Sequence, residues 1–158
     1  MREEAIRGKV PSQVMRLTVL EDAARRPDLF IWRGAIDPNR LDAWLLRRQF
    51  RIPGDLRCFW IETGGGDFFE SETVLGLLGE ASPADDVETV NAFHPTRGMS
   101  DEYLVFHRGT GGLTAIQRST GLYVQLSESN YVETADFPAF ESWYMNVIRS
   151  EFAHLYGL

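Results

Sequence analysis

Four carboxylates, Glu62, Asp67, Glu70 and Glu72, crowd around the glycine triplet Gly64-Gly65-Gly66. Paired carboxylates are what general acid/base hydrolysis uses, but that chemistry needs positioned partners, and the segment offers none. The three histidines, His94, His107 and His154, lie far apart and show no metal-ligand spacing such as His-x-x-x-His. Cys58 is the sole cysteine, inside a short apolar stretch. A nucleophilic role would need a histidine partner and a depressed pKa, so its setting reads as that of a buried structural thiol. The glycine triplet lacks both the G-x-G-x-x-G pattern and the lysine of a phosphate loop, and it runs into acids that repel phosphate. No catalytic residue, no metal ligand and no cofactor is expected.

The elements that must hold these residues follow from punctuation and period. From Ile52 to Gly66 the chain joins a proline, a short amphipathic helix over about 54–63, and the glycines. Pro53 removes a backbone donor and restricts Ile52, which ends the preceding helix, while the glycines supply positive φ for a sharp turn. That preceding helix has Asp37 as N-cap, Pro38 in its first position, and Leu41, Trp44 and Leu45 on one face up to Phe50. Arg40, Arg47, Arg48 and Arg51 line its other, solvated side. Upstream, residues 1–33 form a weakly patterned lead, with Val14, Leu17 and Leu20 at near-helical spacing and the cluster Leu29-Phe30-Ile31-Trp32 packing on the core.

Beyond the glycines, 68–70 and 73–76 read as short strands. Residues 82–94 read as a helix opened by Ser82-Pro83, with Asp85, Asp86 and Glu88 in its first turns, where carboxylates complement the helix dipole. Four β-rich stretches, 102–108, 113–118, 122–126 and 131–135, are separated by glycine- and serine-rich turns and predict an antiparallel meander. Asp136 and Pro138 then open a helix whose apolar period runs through Phe137, Phe140, Tyr144, Val147, Ile148 and Phe152. It should lie across one face of the sheet. The expected fold is a single α+β domain: an antiparallel-rich sheet packed by N-terminal helices and a C-terminal helix. Residues 1–33 are an extension packed on a core domain of 34–158.

The chain has 158 residues, 44% hydrophobic and 12% aromatic, which is material for one genuine core. One cysteine builds neither a disulfide framework nor a cysteine-based zinc site, and it suits a reducing cytoplasm. The N-terminus mixes acids with bases, no apolar run of signal-peptide length follows, and nothing approaches the roughly 20 apolar residues of a membrane span. A soluble, unprocessed protein without membrane association is expected. The net charge of −7 is unevenly spread: residues 1–66 carry 12 bases and 9 acids, 67–102 carry 1 and 9, and 103–158 carry 3 and 5. The acidic middle segment, whose only base is Arg97, argues against nucleic acid and for a basic partner. Asp67, Glu70, Glu72, Asp85, Asp86 and Glu88 are the candidate partner-facing residues. The bland alternative is a solvated acidic loop that serves solubility.

Taken in order, these pieces resemble the SMI1/KNR4 family of the SUKH superfamily. The resemblance rests on the Ile52-Pro53 step, the helix with Leu56, Phe59 and Trp60, the turn Thr63-Gly64-Gly65, the turn Thr120-Gly121, and Phe137-Pro138-Ala139-Phe140 entering the last helix. It covers roughly residues 38–150. The family's turn asparagine is Thr63 here, and residues 77–101 are longer and more acidic than a minimal member needs. The resemblance implies a non-enzymatic α+β binding domain, monomeric or weakly dimeric. Bacterial members of this kind look like immunity proteins that neutralise a cognate polymorphic toxin in the cytoplasm, and a basic nuclease-type toxin would suit this chain's charge. Fungal relatives imply the alternative, a regulatory scaffold with a housekeeping partner.

Overall fold

Alternating apolar residues and tight turns fold the chain into one antiparallel sheet, of which the computed structural model describes residues 16–77 and 85–158. Its strands are β1 (Phe30–Trp32), β2 (Gly66–Phe68), β3 (Glu72–Val74), β4 (Tyr103–Gly109), β5 (Gly112–Gln117), β6 (Tyr123–Leu126) and β7 (Glu133–Phe137). They lie in chain order, each antiparallel to the next. The predicted meander is therefore present, and it extends upstream to include β1. The cluster expected only to pack on the core is an edge strand, its Ile31 opposite Asp67.

Helices α1 (Thr18–Arg25), α2 (Pro38–Arg48), α3 (Gly54–Thr63) and α4 (Val87–Phe93) precede or interrupt the sheet. The Asp37 carboxylate accepts from the Asn39 N–H, which fixes the start of α2 as expected. Its end lies at Arg48, where Gln49 turns left-handed with φ 54°, so the helix stops before Pro53 can act. Pro53 instead stands at the N-cap of α3. Trp60 of α3 is fully buried and donates its indole N–H to the Leu75 carbonyl at 2.8 Å, pinning the helix to the segment after β3. The glycines that follow are required by close approach. A Cβ on Gly64 would fall 2.0 Å from the Gly34 carbonyl oxygen and one on Gly66 2.1 Å from that of Ile31. The turn that carries much of the family resemblance is thus a crossing point of backbones.

The helix expected over 82–94 begins, among the described residues, at Val87; its Ser82-Pro83 opening lies outside them, as does Val14 of the lead. Asn91 of α4 continues the sheet by side chain. Its amide accepts from the Val105 N–H at 2.8 Å and donates to the Val105 carbonyl at 2.9 Å, satisfying strand groups that β3 is too short to reach.

The C-terminal helix starts later than Asp136, because Asp136 is held in β7 opposite Val124. It runs as α5 (Phe140–Trp143), a π-helical stretch (Tyr144–Arg149) and α6 (Ser150–Tyr156). Its first turn is closed from outside: the Phe140 N–H donates to the Asp55 carboxylate at 2.8 Å, and Asp55 also accepts from Tyr123 Oη. The π stretch coincides with a buried anchor. Residues five apart in an α-helix point about 140° apart, whereas the wider π turn brings them nearer one face. Tyr144 and Arg149 are five apart, and both reach the buried Asp22 of α1, at 2.7 and 2.9 Å. Trp143 meets Phe106 at 5.2 Å between ring centroids, so this helix covers a sheet face, as predicted.

Candidate functional site

Among the six acids expected to face a partner, the structure separates two groups. Asp67 and Glu70 are exposed, the former accepting from Thr73 Oγ1 at 2.9 Å. The other four bind groups of the protein itself, Glu72 and Asp86 buried, Asp85 and Glu88 partly exposed. Asp86 is buried and caps α4, accepting from the Glu88 and Thr89 N–H groups at 2.6 and 3.2 Å. Glu88 accepts from Trp44 Nε1 at 2.7 Å and from Arg48 at 3.2 Å, tying α4 to α2. Asp85 lies between Arg108, which hydrogen-bonds it, and Arg33 at 3.7 Å. Glu72 is 2% exposed. Glu72 and Asp86 therefore do not face solvent: the charge density read as a single surface is spent largely on attaching the acidic segment to the body.

Glu72 marks a site that the sequence left scattered. It follows a hairpin turn in which Phe69 (φ 51°) and Glu70 (φ 68°) both adopt left-handed conformations unusual outside glycine. The buried Phe69 ring, stacked 5.3 Å from Phe152, holds that turn in place. Across the strands Val74 faces His107, and His107 faces Thr114. A bulge in β4 inserts Phe106 as an extra residue, directing both its ring and that of His107 toward Trp143. The result is a buried polar chain. Glu72 Oε1 meets His107 Nε2 at 2.8 Å, His107 Nδ1 meets Thr114 Oγ1 at 2.9 Å, and Trp143 Nε1 donates to Thr114 Oγ1 at 3.1 Å. Ser71 Oγ and the Thr110 N–H donate to Glu72 Oε2 at 2.9 and 3.2 Å. Gly109 leaves room for this carboxylate, since a Cβ there would fall 1.8 Å from Glu72 Oε1.

Burial opposes charge on both groups, with different outcomes. For His107 desolvation dominates over the neighbouring carboxylate, and the imidazole pKa lies below its ordinary value. For Glu72 burial pushes the pKa up, but the hydrogen bond from His107 and the positive charge His107 gains in acid, with the hydrogen bonds from Thr110 and Ser71, outweigh it, and the carboxyl lies below the usual range. At neutral pH the pair is a carboxylate beside a neutral imidazole that donates through Nε2 and accepts through Nδ1. The residue types are those of an acid–imidazole–hydroxyl triad. Thr114, however, is fully buried under Trp143, and both imidazole nitrogens are occupied.

Glu72 and His107 line a cavity of about 260 Å³ together with Asn146, Val147 and Ile148 of the π-helical turn. Of the other histidines, His94 is buried against Tyr131 Oη at 2.7 Å and His154 is exposed. Cys58 is only half-buried, against the expectation of a buried thiol, and desolvation pushes its pKa up. Among the described residues no group of three or more His, Cys, Asp or Glu side chains is placed to hold a metal ion, and no helix is long and apolar enough to cross a membrane. No family model and no curated protein sequence matches the chain.

Proposed function

We propose that the chain is a non-enzymatic protein-binding domain of the SMI1/KNR4 kind, an immunity protein that binds and occludes a basic toxin domain in the cytoplasm. The observation that carries this reading is the saturation of the triad-like cluster at Glu72, His107 and Thr114. Its hydroxyl is sealed beneath Trp143 and its imidazole has no free nitrogen, so it offers binding chemistry and no nucleophile. The collinear order of helix, glycine crossing, meander and closing helix supports the family assignment. Exposed Asp67 and Glu70 beside the exposed Ile31 give the acidic side an accessible edge, suited to speeding encounter with a basic partner. The test is affinity capture from the native host with this protein as bait. Recovery of a basic toxin domain encoded beside it supports the reading, whereas recovery of housekeeping proteins alone moves the assignment to a regulatory scaffold.

A further inference from the structure

The cavity beneath the π-helical turn is lined by the Glu72 carboxylate, whose hydrogen-bond partners are His107, Ser71 and Thr110. Glu72 is ionised, the adjacent imidazole is neutral, and Arg108, next in the chain, is taken by Asp85. No lysine or arginine is among the described residues that line it. Gln125 Nε2 holds the Gly111 carbonyl at 3.1 Å, Asn146 Nδ2 that of Ser142 at 2.7 Å, and the Ser150 hydroxyl that of Asn146 at 2.6 Å, leaving each amide one further N–H. Gln125 Oε1, Asn146 Oδ1 and the exposed Glu151 carboxylate accept no hydrogen bond from any described residue. Phe137, Val147 and Phe152 line it beside these polar groups. A recess with free acceptors, net negative charge and apolar walls complements a cation that carries several donors on an apolar stem. At about 260 Å³ it is smaller than the roughly 300–1,000 Å³ of small-molecule sites and suits a single side chain.

We propose that this cavity is a socket for an ammonium or guanidinium group on an aliphatic stem and, resting on the protein-binding reading above, that its occupant is a lysine or arginine of the partner protein. An anchor of this type, desolvated in a preformed recess, is a common energetic centre of protein interfaces. Asp22 anchors the π turn that contributes Asn146, Val147 and Ile148 to the lining.

The test is a titration of the full chain with N-acetyl-argininamide and N-acetyl-lysinamide, with neutral N-acetyl-norleucinamide as control. Binding is followed by NMR at the Thr110 backbone amide and the Gln125 and Asn146 side-chain amides. The cations should bind in the millimolar range and shift these signals, and the neutral analogue should not. Glu72→Gln should weaken binding about tenfold or more, as loss of a charged acceptor predicts. Glu151→Lys, at an exposed position that leaves the core intact, should fill the mouth with its own cation and abolish it. Equal shifts from the neutral analogue, or full cation binding by the Glu151→Lys protein, overturn the socket. Partner binding is read separately: a partner that binds Glu151→Lys as tightly as wild type overturns the proposed occupant. Cation binding without any partner complex overturns the protein-binding reading and leaves the socket standing.

Discussion

Two buried polar clusters meet the same π-helical turn and handle their carboxylates in opposite ways. Asp22, 1% exposed, is enclosed with its counterion: Arg149 and Tyr144 both donate to it, and Arg25 approaches at 3.9 Å. Desolvation and the bond to Asp22 hold the Tyr144 hydroxyl protonated far above its ordinary range, so that cluster is a neutralised lock. Glu72 is as deeply buried but has only a neutral imidazole and hydroxyl or amide donors, and it borders a cavity. A buried charge without a counterion costs several kcal/mol unless something compensates it. The lock is explained by folding alone, whereas the open cluster is better explained by a ligand.

Breaking the lock should have the larger effect. Asp22→Ala strands Arg149 and Tyr144 and removes the anchor of the π turn, and should cost about 3–5 kcal/mol in denaturant unfolding. Glu72→Gln keeps the shape and most of the hydrogen bonds while removing the uncompensated charge. It should cost much less, at most about 1–3 kcal/mol, and retained stability beside lost cation binding would sharpen the contrast between the clusters.

Acid should weaken the open cluster first. An unfolded imidazole takes up a proton near pH 6.5, while buried His107 resists it. The stability His107 contributes is therefore fully present above about pH 6.5 and is lost as pH falls toward its lower native value. Glu72, whose native pKa is also lowered, adds a second loss below about pH 4.3. Melting temperature should fall between pH 7.5 and 5, and His107→Gln should flatten part of that fall. His94, whose pKa burial also lowers, contributes to the remainder.

Asp86→Ala removes the α4 cap and should cost about 1 kcal/mol in the same unfolding assay. The smallest stability effect belongs to exposed Asp67 and Glu70. Reversing both to lysine should change stability by less than about 0.5 kcal/mol, yet slow association with a basic partner and reduce its salt dependence in stopped-flow measurements.

The helices and meander were legible because their signals are local: Asp37 before Pro38, and apolar runs between glycine turns. Strand β1 was not, since three residues, Phe30–Trp32, give no alternation to read and pair only through the distant β2. Asp136 looked like a cap because its competing strand partner, Val124, is invisible locally. Glu72 was named for its charge, but its partner His107 stands 35 residues away and reaches it through strand register and a bulge. The apolar period of the last helix fitted an ordinary α-helix. The π turn that lines the cavity is anchored by Asp22, more than 120 positions earlier in the chain. Charge density suggested a surface where the structure has caps and ion pairs, because sequence reports how many carboxylates a segment holds and not which already have donors.

The proposed binding and occlusion of a basic toxin domain is tested most directly by co-expressing this chain with a basic toxin domain captured by it from the native host and measuring host survival alongside complex formation. Restored growth with a 1:1 complex whose affinity falls with added salt is the predicted result. Unrelieved toxicity with no complex, while the protein is folded and in excess, would contradict it.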